Sequence, residues 1–195
     1  MPIVPVCRSI LMWFFLSCVT MFSNAQDVDQ QALTGEAVVI VKNFAGQLKP
    51  QLQQALQSGG PVAAIQVCSQ QAPTIAAQLS QESGWTVKRV SLKARNASTA
   101  VPDAWEREVL LMFDKLRAEG EAAESLVRAE IIDGNFRFIK AQPVEGLCLL
   151  CHGSAIAADV KTALTKYYPN DTATGYSLGD VRGAFSLTKT LTSMP

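Results

Sequence analysis

The chain has 195 residues, 17 basic and 17 acidic side chains, a single histidine and five cysteines. That length suits one well-buried domain rather than two, and a balanced charge offers nothing to attract a nucleic acid. The cysteines are too few for a scaffold stapled by disulfides.

The N-terminal stretch reads as an export signal that stands outside the fold. Arg8 precedes an apolar core, Ile10 to Leu16, too short to span a bilayer comfortably, and Ser23-Asn24-Ala25 forms a small-x-small cleavage site. Residues 1–25 are therefore expected to be a secretory signal peptide, and residues 26–195 a single domain with a periplasmic location. An uncleaved anchor or lipidation at Cys18 would instead tether the chain to a membrane, although Phe15 sits where a lipobox has a smaller aliphatic residue. Removing the leader takes away Cys7, Cys18 and Arg8 but no acid. Cys68, Cys148 and Cys151 remain, with one more acidic than basic side chain.

From Glu36 to Gln57 apolar residues such as Val41, Phe44, Leu48 and Leu52 keep a helical period, which Pro50 is expected to kink or divide. Ser58-Gly59-Gly60-Pro61 predicts a break, with Pro61 first in a second helix to about Gln71. Pro73 should interrupt that helix and start another through Leu79, leaving Cys68 one turn before the break. Trp85 to Leu92 is rich in strand formers, with its alternation disturbed near Arg89, and Lys93 to Val101 reads as a loop. Asp103 and Glu106 make a capping box for a helix through Glu119, closed by Gly120. Trp105, Val109, Phe113 and Leu116 form its buried stripe, and Met112 beside them is explained by packing.

Leu126 to Ile132 and Asn135 to Gln142 are strand-like runs joined by Asp133-Gly134, a strong hairpin signal. A helical stretch from Ala157 to Tyr167 leads into a turn-rich segment, Tyr168 to Asp171. The last strand, Val181 to Thr190, alternates: Val181, Gly183, Phe185 and Leu187 should face one way, Arg182, Ala184, Ser186 and Thr188 the other. Four or more strands with helices before and between them predict an α+β domain on an antiparallel sheet.

The chemistry concentrates in Cys148-Leu149-Leu150-Cys151-His152. Cys-x-x-Cys-His is the attachment signature of haem c, in which two thiols add across porphyrin vinyl groups and the imidazole takes the iron. On a helical turn, residues i, i+3 and i+4 share a face, so Cys148, Cys151 and His152 would all meet one flat macrocycle. The alternative is a non-haem periplasmic protein whose Cys-x-x-Cys is a disulfide or an oxidoreductase dithiol; a structural zinc site is a further rival. Zinc suits the sequence less, because only Cys68 is left to complete a Cys3His set and the neighbours Cys151 and His152 diverge. A redox dithiol calls for a thioredoxin-like βαβ context, whereas the runs before Cys148 read as antiparallel strands.

Several segments together carry a resemblance. They are Ala64-Ile65-Gln66-Val67-Cys68 with Ala72-Pro73, Val87 to Lys93 running into Arg95-Asn96, the haem motif, Asp171 to Tyr176, and Gly179 to Ala184. With these the chain resembles the family of PAS-like c-type haem domains typified by a cyanobacterial cytochrome with Cys/His-ligated iron. The resemblance covers nearly everything from Glu36 onward. It implies a PAS-like fold, with N-terminal and flanking helices on the antiparallel sheet. It also implies that a cysteine in the helical region before the sheet, here Cys68, is the second iron ligand opposite His152. Read from the residues alone, Cys68 is equally a free buried cysteine acting as a small apolar side chain. The single histidine excludes a bis-histidine haem within one chain, and the remaining methionines, Met112 and Met194, are a packing residue and a terminal one. The family's proline after Arg-Asn is replaced here by Ala97 to Val101, which loosens the loop around Arg95. For Arg95 and Arg182, contact with a haem propionate and an ordinary surface or strand-edge role are equal readings.

The haem reading leads to two function classes: an electron-transfer cytochrome with a redox partner protein, or a redox or gas sensor acting through a separate signalling protein. An enzyme is not expected, since no acid–base pair or nucleophile constellation accompanies the motif.

Overall fold

A computed structural model of the protein describes residues 23–191. The expected export signal, including Cys7, Arg8, the apolar core and Cys18, lies outside the described residues; the cleavage triplet Ser23 to Ala25 falls in the first turn of the first helix. Among the described residues, no helix is long and apolar enough to cross a membrane.

Helix α1 runs Ser23–Ser83 and bends at Gly60, whose backbone angles (φ 70, ψ −170) leave the helix. The break expected at Ser58 to Pro61 is therefore present, and Pro61 opens the second segment. The breaks expected at Pro50 and Pro73 are not: the helix passes through both. A proline inside a helix costs about 3 kcal/mol. Here packing offsets that, because Ala37, Ile40, Phe44 and Leu48 before Gly60 and Ile75 and Leu79 after it all bury in one core against the sheet.

Four antiparallel strands follow in the order β1-β4-β3-β2. They are β1 (Thr86–Val90), β2 (Val127–Ile132), β3 (Asn135–Pro143) and β4 (Val181–Thr190). The expected first strand is shorter at both ends than the Trp85 to Leu92 run. Asp133 and Gly134, both with positive φ (49 and 71), close the predicted β2–β3 hairpin across the pair Ile132↔Asn135. Helix α2 (Ala104–Ala118) begins with the predicted capping box between Asp103 and Glu106. It covers the sheet face opposite α1, packing Val109, Leu110 and Phe113 on Val90, Ile139, Ala141 and Ala184. The short helix α3 (Leu149–His152) follows β3, and α4 (Ala158–Tyr167) packs Val160 and Leu164 on Ile65 of α1. This is the α+β architecture with an N-terminal helix and an antiparallel sheet that the sequence predicts.

The faces of β4 require a correction. Phe185 and Leu187 pack against α1 as expected, but Val181 packs with Ala184 on the α2 side. The register shifts between Gln142 and Pro143, so that Pro143 pairs with Val181 while Gln142 pairs with Gly183. This irregularity leaves Arg182 without a partner on β3 and breaks the period-two pattern at that residue. Gly183 makes it possible: its φ is 150, and a Cβ there would lie 2.4 Å from the Val90 carbonyl oxygen.

Candidate functional site

The Cys148–His152 motif leaves β3 through Val144, whose backbone is bonded to the Gly179–Asp180 turn. Cys148 closes a 3-10 turn, Gly146–Cys148, and caps α3, which carries Cys151 and His152. The motif therefore straddles two kinds of turn rather than lying on one regular helix. The Cys148 thiol accepts a 3.4 Å hydrogen bond from the Glu145 amide, and Cys68, Cys148 and Cys151 are all free and partly buried.

The segment 171–176 is stitched to the motif. Tyr176 N–H donates to the His152 carbonyl and Gly175 N–H to the Gly153 carbonyl, each at 3.0 Å. The His152 Nδ1–H donates to the Ala173 carbonyl at 2.7 Å, leaving the Nε2 lone pair free for an acceptor role. Arg182 Nε lies 3.0 Å from Nδ1 and 3.3 Å from Nε2. The shorter Ala173 bond decides the tautomer, so Arg182 can donate only to Nε2. Burial first, then the Arg182 and Arg95 charges, hold the imidazole neutral and pull its pKa down to about 2.

Arg95 locks this assembly. It is 9% exposed, pairs with Asp171 at 3.2 Å and donates to the carbonyl oxygens of Cys151 and Ala173. Asp171 in turn accepts from the Ala173 amide at 2.8 Å. Arg182, 8% exposed, donates to Ser91 Oγ at 3.1 Å and lies 5.5 Å from the Tyr176 ring centroid. The surface or strand-edge reading of Arg95 and Arg182 is therefore wrong: both are buried in the site. Burial lowers Arg182 to about 10.

Cys68 lies one helical turn after Ile65, on the α1 face whose Ile65 belongs to the same small core as Cys151 and Tyr168. Burial pushes its thiol pKa up, and Arg89 and Arg95 pull it back. The same burial raises the Cys151 thiol and takes Tyr168 to about 12. Cys68, Cys148 and Cys151 are thus near enough to act on one another's ionisation, with His152 next to Cys151 on α3. Among the described residues, no three or more His, Cys, Asp or Glu side chains converge as a metal cluster.

Sequence reasoning missed Ala173 as the partner of His152, Tyr168 as a neighbour of the motif, and Arg89. Ala173 acts through its carbonyl, which no residue type advertises. Arg89 did leave a trace, the disturbed alternation of its strand.

The sequence profile of the Tll0287-like family matches residues 22–189. The chain belongs to the Tll0287-like family. Its fold is similar to the crystal structure of the cyanobacterial heme-protein Tll0287, with a TM-score of 0.63 at 23% identity over 89% of this chain and 100% of that one. No curated protein sequence matches it. In this Tll0287-like chain, the segments quoted above for the resemblance make up most of the site: the motif, the 171–176 segment and the Arg182 strand.

Proposed function

We propose that the protein is an exported c-type haem protein, with haem joined covalently to Cys148 and Cys151 and iron held between His152 and Cys68. It would serve in electron transfer or in redox or gas sensing, through a separate redox or signalling partner. The observation that carries this reading is the His152 imidazole: it is neutral, fixed at Nδ1 by a backbone carbonyl so that Nε2 is the acceptor nitrogen, and it follows directly on the turn that carries the free thiols of Cys148 and Cys151. The haem-protein description of the related cyanobacterial structure supports it.

The donor set fits such a group. A neutral imidazole and a thiol that loses its proton on binding are both ordinary haem ligands, and Cys68 and His152 come from different elements, α1 and α3. When bound, the haem supplies a one-electron iron couple. The protein's part is to fix the imidazole, hold the two thiols on the turn and exclude water with Ile65, Tyr168 and α4. A thiolate ligand favours the ferric state and lowers the reduction potential.

The test replaces Cys68 by Ala in protein made with a cytochrome c maturation system. Loss of the low-spin ferric electron paramagnetic resonance signal, with carbon monoxide binding readily, is the expected result. A mutant that keeps the wild-type g-values excludes Cys68 as a ligand.

A further inference from the structure

Three guanidiniums gather beside the motif, and their partners differ. Arg95 is satisfied by Asp171 and by two backbone carbonyls. Arg182 has only neutral partners: the His152 ring, Ser91 Oγ and the Lys93 carbonyl. Arg89 donates to Gln142 Oε1 at 2.8 Å and otherwise lies over the rings of Phe44 and Phe185. Among the described residues, neither Arg89 nor Arg182 has a carboxylate partner.

A buried cation, Arg182, beside a half-buried one, Arg89, with no carboxylate partner for either, is unfavourable, and each raises the other's cost by repulsion. Arg182 is nine-tenths buried, so water cannot supply the missing counter-charge. The two also sit side by side. Arg89 pairs with Phe185 across the β1–β4 ladder, and Arg182 bonds to Ser91, two residues after Arg89 and just past the end of β1, a step of about 7 Å. A ligand with two neighbouring carboxylates would neutralise both, and a haem carries two such groups on one edge.

We infer that Arg89 and Arg182 form a dicarboxylate clamp for the two haem propionates, and that Arg95 is a positioning residue with no part in the clamp. This rests on the haem reading above. Iron binding at Nε2 of His152 would take away the ring acceptor of Arg182, and a propionate oxygen replaces it with a charge-assisted bond. Arg95 keeps its bonds to Asp171, Cys151 and Ala173 throughout.

The test uses full-length protein made with a cytochrome c maturation system, as wild type, R89Q, R182Q and R182K. Haem staining on a denaturing gel establishes loading; resonance Raman propionate bending bands and the reduction potential are then read on the stained proteins. R89Q and R182Q should each shift the propionate bands and lower the potential, because removing a cation disfavours the reduced haem. R182K should keep the potential near wild type yet still shift the bands, since an ammonium retains the charge and loses the planar fork. If R182Q fails to mature, R182K and R89Q carry the same readout. Unchanged bands and potential in the stained variants would overturn the clamp and leave the haem reading standing. An unstained wild type would end both.

Discussion

The Nδ1 of His152 lies 2.7 Å from the carbonyl oxygen of Ala173, a residue 21 positions further along the chain. The orientation of the only imidazole is thus set by a loop after α4, not by the turn that carries it. That loop is held by the buried Arg95–Asp171 pair.

The neutral state of His152 predicts a pH dependence for the protein made without haem. In the unfolded chain the ring takes a proton near its ordinary value of 6.5, whereas in the folded chain it resists protonation down to about 2. The unfolded state therefore binds the extra proton, so the stability this group contributes is complete above pH 6.5 and is lost as pH falls from there toward 2. Urea midpoints should fall between pH 6.5 and 5, and H152N should flatten that slope. An equal slope in both proteins would show that folding leaves the His152 pKa at its ordinary value of 6.5.

Asp171→Ala should destabilise the fold by about 3–5 kcal/mol, because it strands the buried Arg95 charge. It also removes the acceptor of the Ala173 amide and so loosens the anchor of His152. Urea denaturation reads the stability, and haem loading should fall with it. Asp171→Asn, which keeps an acceptor, should fall between the two. A loss below about 1 kcal/mol, the level of an exposed pair, would mean that Arg95 finds other partners.

Gly183→Ala should cost about 1–3 kcal/mol through backbone strain alone, since φ is 150, with a clash against the Val90 carbonyl in addition. Arg182 is its neighbour, so the same change should disturb the site: a matured G183A protein should have an altered reduction potential. A control at Gly134, also at positive φ but with open space around it, should affect stability only.

The elements written in local chemistry were legible in the sequence. The Asp103–Glu106 capping box, the Asp133-Gly134 hairpin and the Gly60–Pro61 break each depend on a few adjacent residues, and each is present. Pro50 and Pro73 misled because their local cost is outweighed by long-range packing of α1 on the sheet. The faces of β4 misled because one irregularity opposite Gln142 and Pro143 offsets the alternation at Arg182, and its signature is only a glycine. At the site, the spacing of Cys148, Cys151 and His152 was plain. The roles of Arg95 and Arg182 were not, because burial of an arginine depends on what the loop at 171–176 brings to it.

The most direct test of the haem assignment is a denaturing gel stained for haem peroxidase activity, run on protein made with a cytochrome c maturation system. The account predicts a stained band at the mass of the processed chain, absent from the double variant C148S/C151S. Release of all haem on denaturation, with both cysteines intact, would contradict it.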